Sequence, residues 1–168
     1  VVLYIKQDDY IDPADVARLF QDGLLSAIKY ATVRQQPASD AYLRQLVDLV
    51  DPSCIVSGIG EQPAIVHMRD FGLAGFTTGC GCLAPAMSQA LLRAIHGHEW
   101  DRAERIRAFF VPLETLRNQL SPIRVLHEAV QSAGIANTGP LLPLLSNLEA
   151  CHKQDVLEAS QKLVQSTI

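Results

Sequence analysis

The stretch Leu24-Leu25-Ser26-Ala27-Ile28-Lys29-Tyr30 decides how this chain reads. It is an apolar run of strand length that closes on a lysine. Inside a barrel, a strand that ends this way is a chemical device. An apolar site disfavours the ammonium and leaves a neutral amine. That amine is a nucleophile, and its usual target is a ketone or aldehyde, with which it forms a Schiff base. The plainer alternative is a strand-end lysine whose stem lies on apolar surface while its head reaches water.

Working outward, strand-like and helix-like stretches alternate. Val1–Lys6 reads as a strand, and Asp12-Pro13 then supplies a helix cap and a first-turn proline. Val16, Leu19 and Phe20 make that helix's apolar stripe, and Gly23 ends it. After the 24–30 strand, Ser39 or Asp40 caps a helix carrying Leu43, Leu46, Val47 and Val50. Cys54–Gly60 is a third strand, Gln62–Asp70 a short helix, Leu73–Gly79 a fourth strand and Pro85–His96 a helix. Strand starts at residues 1, 24, 54 and 73 recur at the cadence of βα units with a parallel sheet. Beyond residue 98 no strand is predicted. Glu99–Leu120 reads as a long helix with a kink expected at Pro112, Ser121-Pro122 opens another, and Glu149–Gln165 is the last.

The expected fold class is therefore α/β: four βα units over 1–98, as in the C-terminal half of a (β/α)8 TIM barrel, followed by a helical extension over 99–168. A whole barrel of this kind takes ~250 residues. Half a barrel leaves edge strands unpaired and its inner face open, and such edges invite association. The chain is thus expected to be a fragment, or to receive its missing strands from a partner copy.

Bulk properties narrow the function classes. The 168 residues are 48% hydrophobic and 19% charged, enough apolar material for a real core, with a net charge of −4. No block of lysine and arginine points to nucleic acid or an anionic membrane, and no apolar run reaches the length of a membrane span. No secretory leader is visible. The four cysteines are irregularly spaced, which fits reduced thiols in a cytoplasm.

Four strand motifs carry a likeness: Val2-Leu3-Tyr4, Ser26-Ala27-Ile28-Lys29, Ser57-Gly58 and Gly75-Phe76-Thr77. In their order and spacing, residues 1–148 resemble the C-terminal part of the dihydrodipicolinate synthase / N-acetylneuraminate lyase family. The tail, with Phe110-Val111-Pro112-Leu113 and Gly139-Pro140, is similar to the dehydratase branch acting on deoxy-oxo-glucarate. The resemblance implies a Schiff-base lyase acting on pyruvate or another small 2-oxo acid. Lys29 would form the imine and Tyr4 would relay protons. Ser57 and Gly58 would offer main-chain contacts to the oxo acid, and Thr77 a hydrogen bond. It also implies a homo-oligomer, a tetramer built as a dimer of dimers. No metal or organic cofactor is expected, because the lysine itself supplies the electrophilic activation. Alternation of side chains along a strand agrees with the pairing: Lys29 inward brings Ala27 and Leu25 inward, and Tyr4 inward brings Val2. A phenol beside a 2-oxo carbon can shuttle the proton that imine formation requires.

Departures from the family pattern are equally legible. Synthases of the family usually carry Asn-x-Pro-x-Arg after the tyrosine strand, the arginine helping to hold a substrate carboxylate. Here the loop reads Ile5-Lys6-Gln7-Asp8-Asp9-Tyr10, and Lys6 is its one cation. Elements that bind the oxo-acid carboxylate in the family have no counterpart in this sequence. The competing expectation is a catalytically inactive half-barrel with an assembly role. A doubly wound nucleotide-binding domain is disfavoured, since no Gly-x-Gly-x-x-Gly follows the first strand. Cys80-Gly81-Cys82 lacks a second ligand pair at zinc-site spacing. His96 and His98 read as helix-end residues, Arg124 and His127 as packing or subunit contacts, and Asp8-Asp9 as an acidic turn.

Overall fold

The computed structural model describes residues 1–166. Two compact units divide the chain between Thr77 and Thr78.

Unit 1 holds a four-stranded parallel sheet in the order β1-β2-β3-β4. Its strands are β1 (Val2–Ile5), β2 (Ala27–Tyr30), β3 (Ile55–Ser57) and β4 (Gly75–Phe76). The helices between them are α1 (Pro13–Gln21), α2 (Ala41–Leu49) and α3 (Ala64–Asp70). All four strands fall inside the stretches the sequence marks, each trimmed at both ends or one. Asp12 caps α1 through its carboxylate, Pro13 takes the first turn, and the chain leaves the helix at Gly23 with φ 71, where a side chain would be strained. Of the two cap choices for α2, Asp40 is the one used, accepting from the Leu43 amide.

One face of this sheet carries the core. Ile5, Ile28, Tyr30 and Ile55 pack with Val16 and Ala17 of α1, Leu43 and Leu46 of α2, and Phe71 and Leu73 beyond α3. Two polar groups are built into it. His67 is 1% exposed, and its Nδ1 lies 2.8 Å from Ser57 Oγ. The rings of Tyr30 and Phe71 flank it at 6.1 and 6.2 Å.

Unit 2 is helical: α4 (Pro85–His96), α5 (Trp100–Gln119), α6 (Pro122–Ser132) and α7 (Ala150–Gln165). α4 packs on α5, and α5, α6 and α7 pack on one another. Their shared core includes Leu91, Ile106, Phe110, Leu113, Val125, Val156 and Leu163. α5 runs on as one helix through Pro112. No helix among the described residues is long and apolar enough to cross a membrane.

Burial pushes the His67 imidazole down to about 4, against the opposing pull of the Asp40 charge. The folded chain therefore holds it neutral while the unfolded chain takes up a proton near ~6.5. Between those values the unfolded state binds more protons, so stability falls as pH falls. Acidification from pH 7 to 4 is predicted to remove about 3 kcal/mol of stability through this residue. Urea unfolding across that range will show the loss in the wild type and a flatter profile in His67→Asn. Equal slopes for the two proteins would contradict the assignment.

Candidate functional site

The register between strands builds the site. Tyr4 pairs with Lys29, Lys29 with Val56, and Val56 with Gly75. Neighbours paired this way in a parallel sheet share a face, so Tyr4, Lys29 and Val56 stand together on the face opposite the core. Exposure follows the same alternation: Ile5, Ile28 and Tyr30 are fully buried, whereas Val2 is 60% and Tyr4 47% exposed. Lys29 is half-buried, and its Nζ lies 4.9 Å from the centroid of the Tyr4 ring. That is cation–π range, and it brings the amine and the phenol into one small volume. Among the described residues no carboxylate forms an ion pair with Lys29.

Gly58 explains how the lysine stem is seated. A Cβ placed on Gly58 would come within 2.9 Å of Lys29 Cγ, 3.0 Å of its Cε and 2.7 Å of Ala31 Cβ. The missing side chain thus makes room for Lys29 itself. The Gly58 amide donates to the Tyr30 carbonyl at 2.6 Å, and the Thr77 amide to the Ser57 carbonyl at 2.7 Å. These bonds carry the ladder one residue past the strands. By alternation from Gly75, half-buried Thr77 falls on the Lys29 face. Ser57 does not: its hydroxyl is on the core face with His67. Main-chain contact is what remains open to Ser57 and Gly58 as substrate-binding residues.

A polar chain that sequence reasoning missed lies just beyond the strand ends. The Tyr30 hydroxyl donates to Asp40 Oδ2 at 2.5 Å. Arg34 Nε donates to the same oxygen at 2.9 Å, and its two terminal nitrogens grip the Asp8 carboxylate as a fork. Burial first, then the bond to Asp40, pushes the Tyr30 phenol well above its ordinary range. The hydrogen bond from Arg34 holds the Asp8 carboxyl low. Burial, with the charges of Asp12 and Asp8 adding, raises Tyr42 to about 12, and its hydroxyl donates to the Ile11 carbonyl at 2.8 Å. Asp8, Asp9, Arg34, Asp40, Tyr42 and Gln45 help line an open cleft of ≈ 540 Å³. Asp8 and Arg34 are 26 positions apart, so only the tertiary fold reveals the pair. Lys6, the one cation of the loop after β1, is exposed.

In unit 2, donor atoms of Glu149, Cys151 and His152 lie within 4.8 Å of one another. The Arg124 guanidinium stands 3.9 Å from Glu149, and the positive end of α7 begins there. Both oppose a dication at that place. Cys80 is buried and Cys82 exposed on one short turn, and the His98 ring meets Trp100 edge-on at 5.3 Å.

The Gly58 packing generates a direct test. Gly58→Ala must displace Ala31 or the Lys29 stem, at a cost of about 1–3 kcal/mol. Chemical denaturation will register that loss, whereas unchanged stability would mean that the stem is not seated there.

No family model matches the chain, and no curated protein matches it by sequence. Solved structures do match it. Dihydrodipicolinate synthase from Bacillus clausii superimposes with a TM-score of 0.80 at 23% identity, covering 95% of this chain and 53% of that one. The Oceanobacillus iheyensis enzyme gives 0.80 at 22%, with the same coverage of 95% and 53%. A monomeric dihydrodipicolinate synthase variant gives 0.77 at 15%, covering 96% and 54%. With 95% of the chain matched, the likeness runs past residue 148 into the last helix. The chain thus carries the fold of the dihydrodipicolinate synthase structures, a half-barrel with appended helices, over about half of their length.

Proposed function

We propose that this chain carries the reacting lysine of a Schiff-base-forming lyase that acts on pyruvate or another 2-oxo acid. The observation that supports this reading most is the pairing of Tyr4 with Lys29, with the amine 4.9 Å from the centre of the phenol ring. The Lys29 amine adds to the C2 carbonyl of the oxo acid and gives a carbinolamine. Loss of water from the carbinolamine forms the imine. The departing hydroxyl takes a proton, and Tyr4 is the relay placed to deliver it and to recover it afterwards. The iminium withdraws electrons from C3. Loss of a C3 proton then gives an enamine, which attacks an electrophile or expels hydroxide from C4, the hydroxide leaving as water once protonated. In the reverse direction, cleavage of the C3–C4 bond delivers its electron pair to the iminium and gives the same enamine. Water hydrolyses the final imine and frees Lys29. Thr77 and the main chain of Ser57 and Gly58 hold the oxo acid in this reading. A tetramer built as a dimer of dimers and a cytoplasmic setting with reduced thiols belong to the same reading.

The chain spans about half the length of the structures it matches, and the activity of the whole protein is part of this reading.

Incubating the intact protein with pyruvate and borohydride tests it. The lyase reading predicts a reduced adduct mapped to Lys29, none in Lys29→Ala, and trapping slowed about 10²-fold or more in Tyr4→Phe. An adduct that persists in Lys29→Ala, or none in the wild type, would overturn it.

A further inference from the structure

β1 pairs in parallel with β2 through four residues. The last ladder bond at its C-terminal end runs from the Ala31 amide to the Ile5 carbonyl at 2.8 Å, one residue past Tyr4. Strand ends fray, and a frayed C-terminal end of β1 would carry the phenol away from Nζ.

Four side chains bridge the two strand ends just beyond that bond. Asp8 follows Tyr4 on the loop after β1, and Arg34 follows Lys29 on the loop after β2. The Arg34 fork holds the Asp8 carboxylate with one nitrogen at 2.6 Å. Its Nε and one terminal nitrogen reach Asp40 at 2.9 and 3.2 Å. Asp40 is itself immobilised: it is 3% exposed, caps α2 through the Leu43 amide at 3.0 Å, and accepts from Tyr30, the residue next to Lys29. The β1 loop therefore ends on a buried post.

We propose that Arg34 and Asp8 are positioning residues for imine formation: their fork clamps the end of β1 to the end of β2 and so keeps the Tyr4 phenol at the Lys29 amine. This inference rests on the lyase reading above. A clamp acting only on overall stability would be indifferent to the Tyr4 hydroxyl. A positioning clamp acts through it, so its loss matters only while the hydroxyl is present.

The test is a double-mutant cycle on the intact protein, with borohydride trapping of pyruvate on Lys29 as the rate. Asp8 is half-exposed, so Asp8→Ala opens the clamp without leaving a buried charge alone. Arg34→Lys, which keeps the charge and loses the fork, is the second variant. The expected result is trapping slowed about 10-fold in each variant. In the Tyr4→Phe background the same changes are expected to have no further effect. Equal slowing in both backgrounds would overturn the proposal in favour of a structural role. Wild-type rates in both variants, with Lys29 still trapped, would overturn the proposal alone. Absence of trapping in the wild type would overturn it together with the lyase reading.

Discussion

One register governs unit 1. The parallel pairing of Val2 to Ile5 with Ala27 to Tyr30 decides which side chains face the core and which do not. A slip of one residue would turn Ile28 and Tyr30 outward and drive Lys29 into the helices. The apolar demand of the core therefore fixes the face that carries Lys29 as well. Burial of Ile5, Ile28 and Ile55 beneath the sheet holds Tyr4, Lys29 and Val56 together above it.

Below the sheet, buried polar groups keep this register single-valued. Ser57 answers His67, and Tyr30 answers Asp40, on strands adjacent to one another. Each bond satisfies groups that would cost ~1–3 kcal/mol if left unpaired, so alternatives in which they miss one another are disfavoured. Gly58 adds a steric condition from the other side, since only a residue without a Cβ leaves room for the Lys29 stem. The lysine is thus placed by the ladder, by its bonded neighbours and by an absent side chain.

The elements legible in the sequence are those set by local rules. Period, caps and glycine stops marked each strand and helix, and Asp12-Pro13 and Pro85 opened helices where expected. That Tyr4 and Lys29 share a face was legible because alternation along two strands aligned them. Alternation also contained the signal that Ser57 points away, because Tyr30, its register partner, follows Lys29. The polar chain through Arg34 was not legible. Arg34 lies in a loop, its partner Asp8 belongs to a different loop, and pairing across such a distance follows from the tertiary fold.

The central claim is that the amine above Tyr4 reacts with a 2-oxo acid. A crystal structure of the intact protein in complex with pyruvate tests it most directly. The account predicts continuous density from Lys29 Nζ to C2 of the oxo acid, with the Tyr4 hydroxyl within hydrogen-bond distance of the new linkage. Pyruvate bound away from Lys29, or seated beside an unmodified lysine with Tyr4 turned aside, would contradict it.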